Sequence, residues 1–397
     1  MSLNDTPLAN RIHIGIFGRR NAGKSSLINA LTGQSLAIVS DVAGTTTDPV
    51  QKAMELLPLG PVVLIDTPGL DDVGELGQMR VEKAYQVLRK TEIAVVVVDG
   101  TEEITEADER ILSQIRERNI PFVIVKNKMD LMDTEEAEAD GEATISVSAH
   151  TGQNIHALKE MLGGLAVKAA QNRPIVRDLL QPMDFVVLVV PIDSAAPKGR
   201  LILPQQQTIR DILEAGAVPV VTRDHELRDT LSTLGKQPRM VITDSQVFDA
   251  VSETVPEEIP LTSFSILMAR HKGDLEQNVS GAAALKRLKD GDHVLISEGC
   301  THHRQCEDIG TVKLPRWIRE YTQKDITFHF SSGTEFPADL SQYALIIHCG
   351  GCTLNEREMK YRLQCAAEQG IPMTNYGICI AFLKGILERS VKPLGIF

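Results

Sequence analysis

Short apolar runs recur along the chain, each bounded by turn residues and separated from the next by polar or helical stretches. RIHIGIFG (11–18), VVLIDTPG (62–69), IAVVVVDG (93–100), FVIVKNKMD (122–130) and ATISVSA (143–149) are of strand length and nearly continuous in their hydrophobicity. Strands buried on both faces read this way, whereas a half-exposed strand alternates. KSSLINALTG (24–33) reads as a helix stopped by Gly33. The repeated strand–helix rhythm predicts a parallel, doubly wound sheet. The rhythm lapses around 165–182, within AVKAAQNRPIVRDLLQPMD, a polar stretch with two prolines that reads as a linker.

A second unit opens with FVVLVVPID (185–193), a helix at QQQTIRDILEAG (205–216), and strands at VPVVT (218–222) and RMVITD (239–244). SETVPEEIPLTS (252–263) marks the next boundary. Beyond it, FSILM, HVLISEG, DITFHF and YALIIHC are expected strands. NEREMKYRLQCAAEQG (355–370) is an amphipathic helix with Met359, Leu363 and Ala366 on one face, stopped by Gly370 and Pro372. The expectation is an α/β chain of three domains, 1–170, 171–262 and 263–397, with mainly parallel sheets.

Composition narrows the functional classes. The 397 residues are 43% hydrophobic and 24% charged, with a net charge of −12. That acidic balance argues against non-specific binding to nucleic acid or anionic lipid. The first residues lack a basic flank and an apolar core of the secretory kind, and no apolar run reaches bilayer length. A cytoplasmic protein that needs neither nucleic acid nor membrane is expected. Six cysteines in a reducing compartment point to metal ligation or catalysis rather than disulfides.

GRRNAGKSS (18–26) matches G-x-x-x-x-G-K-S directly after a strand and opening a helix. Its glycines let backbone N–H groups wrap phosphates at a helix N-terminus. Gly18, Asn21, Ala22, Gly23 and Ser26 line that loop. Lys24 is placed to reach the β- and γ-phosphates, and Ser25 to ligate Mg²⁺. GTTTD (44–48), DTPG (66–69), NKMD (127–130) and SAHTG (148–152) follow in order. Asp66 can hold Mg²⁺ through water, and the Gly69 N–H can sense a γ-phosphate. Asp130 can accept both donors on the guanine edge, a pattern adenine lacks. Asn127 and Lys128 brace the base, and Ser148 and Ala149 face its carbonyl. These residues predict a GTPase domain.

The motifs over about residues 10–168 resemble the bacterial small GTPases of the TrmE/Era type. That resemblance implies that Thr46, beside Thr45, is the switch Mg²⁺ ligand, and that Asn21 accompanies activation by K⁺. Leu70 follows DTPG where Ras-like enzymes carry glutamine, so slow turnover is expected unless K⁺ supplies the missing charge.

The remaining chemistry lies in EGCTHHRQC (298–306) and HCGGC (348–352), each just past an apolar strand. Loops after the C-terminal ends of parallel strands meet where ligands bind. Cys349 and Cys352 are spaced C-x-x-C across two glycines that permit a tight turn, and a following helix from about Asn355 favours thiolates. Cys300 supplies a third sulfur, with Glu298, His302 and His348 crowding a fourth position. Ligand types alone leave iron–sulfur and zinc equally open. Cys365 and Cys379 lie in apolar settings and read as core. Cys306 falls outside the pattern, and His303 is a second-sphere or solvated residue.

C-x-H (300–302) followed by H-C-x-x-C (348–352) behind such a GTPase domain resembles the HydF family, the maturation GTPases of (FeFe) hydrogenase. DIGTVKLPRW (308–317) and GRLILPQQQTIRDIL (199–213) resemble the same family. The resemblance implies a 4Fe-4S cluster on Cys300, Cys349 and Cys352. Its exchangeable fourth position is open to Glu298, His302 or His348. It also implies a carrier role for a di-iron precursor, two radical-SAM maturases and apo-hydrogenase as partners, and a middle domain for homodimerisation, with tetramers also open. VPVVT and RMVITD are the strands expected to pair between chains. The alternatives are a zinc- or cluster-containing GTPase of ribosome or tRNA biogenesis, and a redox-sensing GTPase.

Overall fold

IHIGIF and IAVVVVD bury almost every side chain because both strands run through the middle of a sheet covered on its two faces. In this computed structural model, residues 6–33, 49–69, 75–131, 143–169, 173–192, 201–299, 308–333 and 335–396 are described. They form two units, Met1–Gln171 and Asn172–Phe397.

The first unit runs β1 (Ile12–Phe17), α1 (Lys24–Thr32), β2 (Val50–Leu56), β3 (Gly60–Asp66), α2 (Glu75–Lys90), β4 (Ile93–Asp99), α3 (Glu106–Glu117), β5 (Phe122–Asn127), β6 (Thr144–Ser146) and α4 (Ile155–Ala169). The sheet order is β2-β3-β1-β4-β5-β6, parallel except for β2. Alternate residues feed two cores. Ile14 and Ile16 pack with Leu27, Leu31, Leu158 and Leu162 on one face. Phe17 packs with Leu88, Ile111 and Ile115 on the other. Because β1, β3, β5 and β6 are parallel, the motif loops that follow them all leave from the C-terminal end of the strands. The antiparallel strand β2 was not legible, since only Leu56 among its residues is fully buried.

The second unit runs β7 (Phe185–Val189), α5 (Leu203–Glu214), β8 (Val218–Thr222), α6 (Leu227–Thr233), β9 (Met240–Thr243), α7 (Phe248–Thr254), β10 (Leu261–Ser263), α8 (Phe264–Lys272), α9 (Leu275–Ala282), β11 (His293–Glu298), α10 (Leu314–Thr322), β12 (Thr327–Ser332), β13 (Leu345–His348), α11 (Glu356–Glu368), β14 (Met373–Asn375), α12 (Tyr376–Leu383) and α13 (Leu387–Val391). It holds two parallel four-stranded sheets, β10-β9-β7-β8 and β12-β11-β13-β14. One core serves both: Val187, Val189 and Val241 share it with Val294, Ile296 and Ile347. Position 262/263 lies inside β10, next to that shared core.

Two expectations are corrected. FSILM is the first half of α8 and not a strand. Ser263 caps the helix by accepting from the Ile266 N–H at 3.3 Å, and Ile266, Leu267, Met268 and Ala269 are all buried, so no helical period shows. RMVITD is not available for pairing between chains, because β9 is hydrogen-bonded to β10 on one side and β7 on the other. VPVVT, as β8, does lie at a sheet edge, with Val221 exposed. Among the described residues no helix is long and apolar enough to cross a membrane.

Candidate nucleotide and metal sites

The loop between β1 and α1 carries backbone geometry that its sequence demands. Gly18 has φ 147°, and a Cβ there would sit 2.2 Å from the Val97 carbonyl oxygen. Gly23 has φ 91°, and a Cβ would meet the Asn127 amide at 2.1 Å. Asn21, exposed at φ 61°, takes the left-handed conformation that asparagine tolerates. Lys24 opens α1 and folds over the loop, its Nζ donating to the Gly18 carbonyl at 2.9 Å and the Arg19 carbonyl at 2.7 Å. The ammonium is thereby held against carbonyls of its own loop.

Ser25 Oγ donates to Asp66 Oδ2 at 3.0 Å, bringing the two residues expected at Mg²⁺ together. Asp66 Oδ1 is buried with no hydrogen-bond partner. Burial pushes its carboxyl up from the usual range, against the Ser25 hydrogen bond and the nearby Lys24, which pull it down. A buried, half-satisfied carboxylate beside a hydroxyl is a donor set that fits a hydrated divalent cation. Asn127 ties the guanine side together: its Nδ2 donates to the Ala22 carbonyl at 3.0 Å, and its Oδ1 accepts from the Ala149 N–H at 3.0 Å. Ser148 Oγ donates to Asp130 Oδ1 at 2.5 Å and holds that carboxyl below its ordinary value. Lys128 pairs with Asp99 at 2.5 Å. Thr45, Thr46 and Leu70 lie outside the described residues.

Motif reading missed two supports of this site. Arg19 pairs with Glu102 and with buried Asp108 at the start of α3, while Asp108 also closes the capping box with Thr105. Only an acidic triplet at a helix start hinted at that contact.

The second site is built where β11 and β13 end side by side. Ser297 lies opposite His348 in the register, and the Cys349 N–H donates to the Ser297 carbonyl at 2.9 Å. Two segments far apart in sequence thus leave the sheet as neighbours. Cys349 Sγ accepts from the backbone N–H groups of Gly299 at 3.1 Å and Gly351 at 3.4 Å. Gly351 has φ 59°, and a Cβ there would press on Met359 Sδ at 2.5 Å. Asn355 caps α11 by accepting from the Glu358 N–H, so the helix starts where expected. Burial pushes the Cys352 thiol up, with Lys272 pulling the other way. A buried thiol of this kind gives up its proton when a metal replaces it.

His348 is 1% exposed and engaged at both ring nitrogens. Its Nδ1 lies 2.7 Å from the Cys349 carbonyl and must carry the proton there, which leaves Nε2 to accept from Arg362 at 3.0 Å. Burial and the adjacent guanidinium push its pKa down to about 3, so the ring is neutral. A metal bond from either nitrogen would displace one of these partners. Glu298 ends β11 and accepts from the buried Tyr376 hydroxyl at 3.2 Å, and a Cβ at Gly310 would press on both groups, at 2.6 and 2.3 Å. Cys300, His302, His303 and Cys306 lie outside the described residues, and among the described ones no three such side chains converge on a metal position. Cys379 is fully buried in α12, and Cys365 is half-buried on α11. Two thiols on a glycine turn, one already taking backbone N–H bonds, are a donor pair of the kind that suits a thiolate-bound metal or cluster.

Sequence reading missed Lys272, Arg362 and Tyr376. Arg362 is fully buried and joins Glu358, Ser297, His348 and the Gly333 carbonyl. No motif marks these residues: Lys272 on α8 and Tyr376 on α12 are away from the cysteine turn in sequence, and Arg362 lies inside α11 outside any ligand spacing.

Residues 13–128 match the family described as 50S ribosome-binding GTPase. The tRNA modification GTPase MnmE of Laribacter hongkongensis is 37% identical over 154 residues, covering 38% of this chain and 34% of that protein. GTPase Der of Wolinella succinogenes is 34% identical over 165 residues, 38% of this chain and 35% of that protein. The chain therefore spans about a third of the length of these curated relatives. Aquifex aeolicus Era bound to GDP and aluminium fluoride is a solved structure at 22% identity and TM-score 0.35, covering 53% of this chain and 92% of that one. Residues 175–273 match the hydrogen maturase F dimerization domain, and residues 276–393 match the hydrogen maturase F tetramerization domain. With both of these domains in tandem behind a P-loop GTPase domain, the chain belongs to the hydrogen maturase F family.

Proposed function

We propose that this protein is a slow, Mg²⁺-dependent GTP hydrolase that serves as scaffold and carrier in the maturation of (FeFe) hydrogenase. The observation that carries the reading is the Cys349–Cys352 glycine turn, set beside the end of β11 in a chain that holds both hydrogen maturase F domains. Cys300, Cys349 and Cys352 would hold a 4Fe-4S cluster. When bound, the cluster supplies one iron with a replaceable ligand, at which a di-iron substrate could be docked and released.

The chain's own residues do the rest. Gly299 and Gly351 N–H groups stabilise negative charge on Cys349, as amides do for any thiolate. Glu298 ends β11 directly before Gly299 and accepts from the Tyr376 hydroxyl. Glu298, His302 and His348 are the candidates for the exchangeable position, and His348 would give up a present partner of one ring nitrogen to take it. At the other end, Lys24 and the loop amides would bind phosphate, Ser25, Thr46 and Asp66 would hold Mg²⁺, and Asn21 would support a K⁺ ion. Nucleotide state would bias affinity for partners and not supply the chemistry. Those partners are two radical-SAM maturases, the apo-hydrogenase and a second copy of this chain in the cytoplasm, pairing through the residues of the dimerization match. Zinc on the same donors is the competing occupant.

Anaerobic reconstitution followed by iron, sulfide and zinc analysis and EPR tests the cluster. About four irons and a cubane signal are expected; stoichiometric zinc with no EPR signal sinks the reading. GTP hydrolysis should be faster in KCl than in NaCl at equal ionic strength, and equal rates would remove K⁺ from the account.

A further inference from the structure

Lys272 is the last residue of α8 and is only 3% exposed. Its ammonium donates to the carbonyl oxygens of Gly351 at 3.0 Å, Cys352 at 3.2 Å and Leu354 at 2.7 Å. An ammonium has three donors, and here three carbonyls of one loop lie within reach of it. That loop is the glycine turn joining β13 to α11, and one of the three carbonyls belongs to Cys352 itself. Placing a cation there is costly by burial but favoured by its position at a helix C-terminus, where the last carbonyls are unsatisfied.

The base that carries the lysine is itself pinned. Arg270 Nη1 donates to the Ile175 carbonyl at 3.0 Å, and the same guanidinium pairs with Asp178. His271 Nδ1 lies 2.5 Å from the Arg173 carbonyl, and Arg173 Nη1 donates to the Gly273 carbonyl at 3.3 Å. The last turn of α8 therefore grips residues 173–178 on one side and the cysteine turn on the other. Neither contact is local in sequence, so α8 adds a constraint from outside to the hydrogen bonds that the C-x-x-C segment makes within itself.

We propose that Lys272 is the positioning residue of the cysteine turn. It fixes Gly351–Leu354 in a ligand-ready conformation before a metal arrives, and its fixed charge offsets that of the thiolates afterwards. The second half of this statement rests on the cluster reading above; the first does not. A preorganised turn loses less entropy on ligation, and a fixed cation nearby favours the more negative state of whatever the thiolates hold.

The test compares full-length wild-type protein with Lys272→Met, Lys272→Gln and Lys272→Arg. In metal-free protein, amide exchange of peptides covering residues 349–355 should rise about tenfold in Lys272→Met, less in Lys272→Gln, which keeps a donor, and least in Lys272→Arg. In reconstituted protein, loss of iron to a chelator should quicken in the same order. The one-electron midpoint followed by EPR should move negative in both neutral variants and stay near wild type in Lys272→Arg. Should Lys272→Met fail to fold, Lys272→Gln and Lys272→Arg still separate charge from packing. Unchanged exchange in folded Lys272→Gln overturns the positioning role. An unchanged midpoint in the neutral variants overturns the electrostatic one. A wild type that binds no cluster counts against the cluster reading, while exchange in the metal-free protein still decides whether Lys272 positions the turn.

Discussion

The phosphate loop of the first unit and the cysteine turn of the second are built to the same plan. Each follows a parallel strand, β1 or β13, turns on glycines in the left-handed region and runs into the N-terminus of a helix. Each has a lysine ammonium donating to carbonyls of the loop. The difference lies in where the lysine comes from. Lys24 is the first residue of the helix the loop opens, so loop and cation are one segment. Lys272 arrives from α8, about eighty residues earlier in the chain. A lysine laid over its own loop can swing to a phosphate and back. One clamped from a second element holds the loop still, which suits a site whose donors are side chains and not backbone amides.

That contrast predicts separable defects. Lys24→Ala removes the cation from the phosphate site, and GTP turnover should fall about a hundredfold or more while iron content stays at the wild-type level; metal and nucleotide assays on one preparation read both. If iron falls too, the two loops are not independent. Gly351→Ala attacks the other loop, forcing a Cβ against Met359 at a positive φ. A loss of about 1–3 kcal/mol in stability is expected, with poor iron uptake and ordinary GTP turnover, measured by denaturant titration and steady-state kinetics. A Gly351→Ala protein with normal iron would show that the turn's conformation does not matter.

The smallest effect concerns Asp66. Burial raises its carboxyl in the nucleotide-free fold, so its contribution is most favourable below the unfolded carboxylate value of about 3.9 and is lost as pH rises through the raised folded value. At neutral pH the charged form is a cost that a bound cation relieves. Asp66→Asn should therefore raise the melting temperature of nucleotide-free protein at pH 7, flatten its pH dependence and abolish stabilisation by Mg²⁺ with nucleotide. A drop in melting temperature would contradict the reading of Asp66 as a waiting cation ligand.

The same contrast explains what could be read from the sequence. Phosphate-loop function is encoded within contiguous stretches, so Gly18–Ser26, Asp66–Gly69 and Asn127–Asp130 were legible together with the strands that carry them. Cys349 and Cys352 stood out as candidates because their spacing is local, and the structure sets both on the turn after β13. Lys272, Arg362 and Tyr376 were not legible, since each looks like any surface lysine, arginine or tyrosine until the fold is known. α8 was misread for a related reason: a helix buried on every side has no apolar face to give it a period. The edge strand β2 failed in the opposite way, with too little apolar content to stand out.

The proposed carrier function requires that the GTPase and a three-cysteine site in the same chain act as separate parts. The most direct measurement is activation of apo-hydrogenase by Cys300→Ala, Cys349→Ala and Cys352→Ala variants, with GTP turnover followed on the same preparations. The prediction is loss of activation in all three with turnover within about twofold of wild type. Activation that survives loss of these cysteines would contradict it.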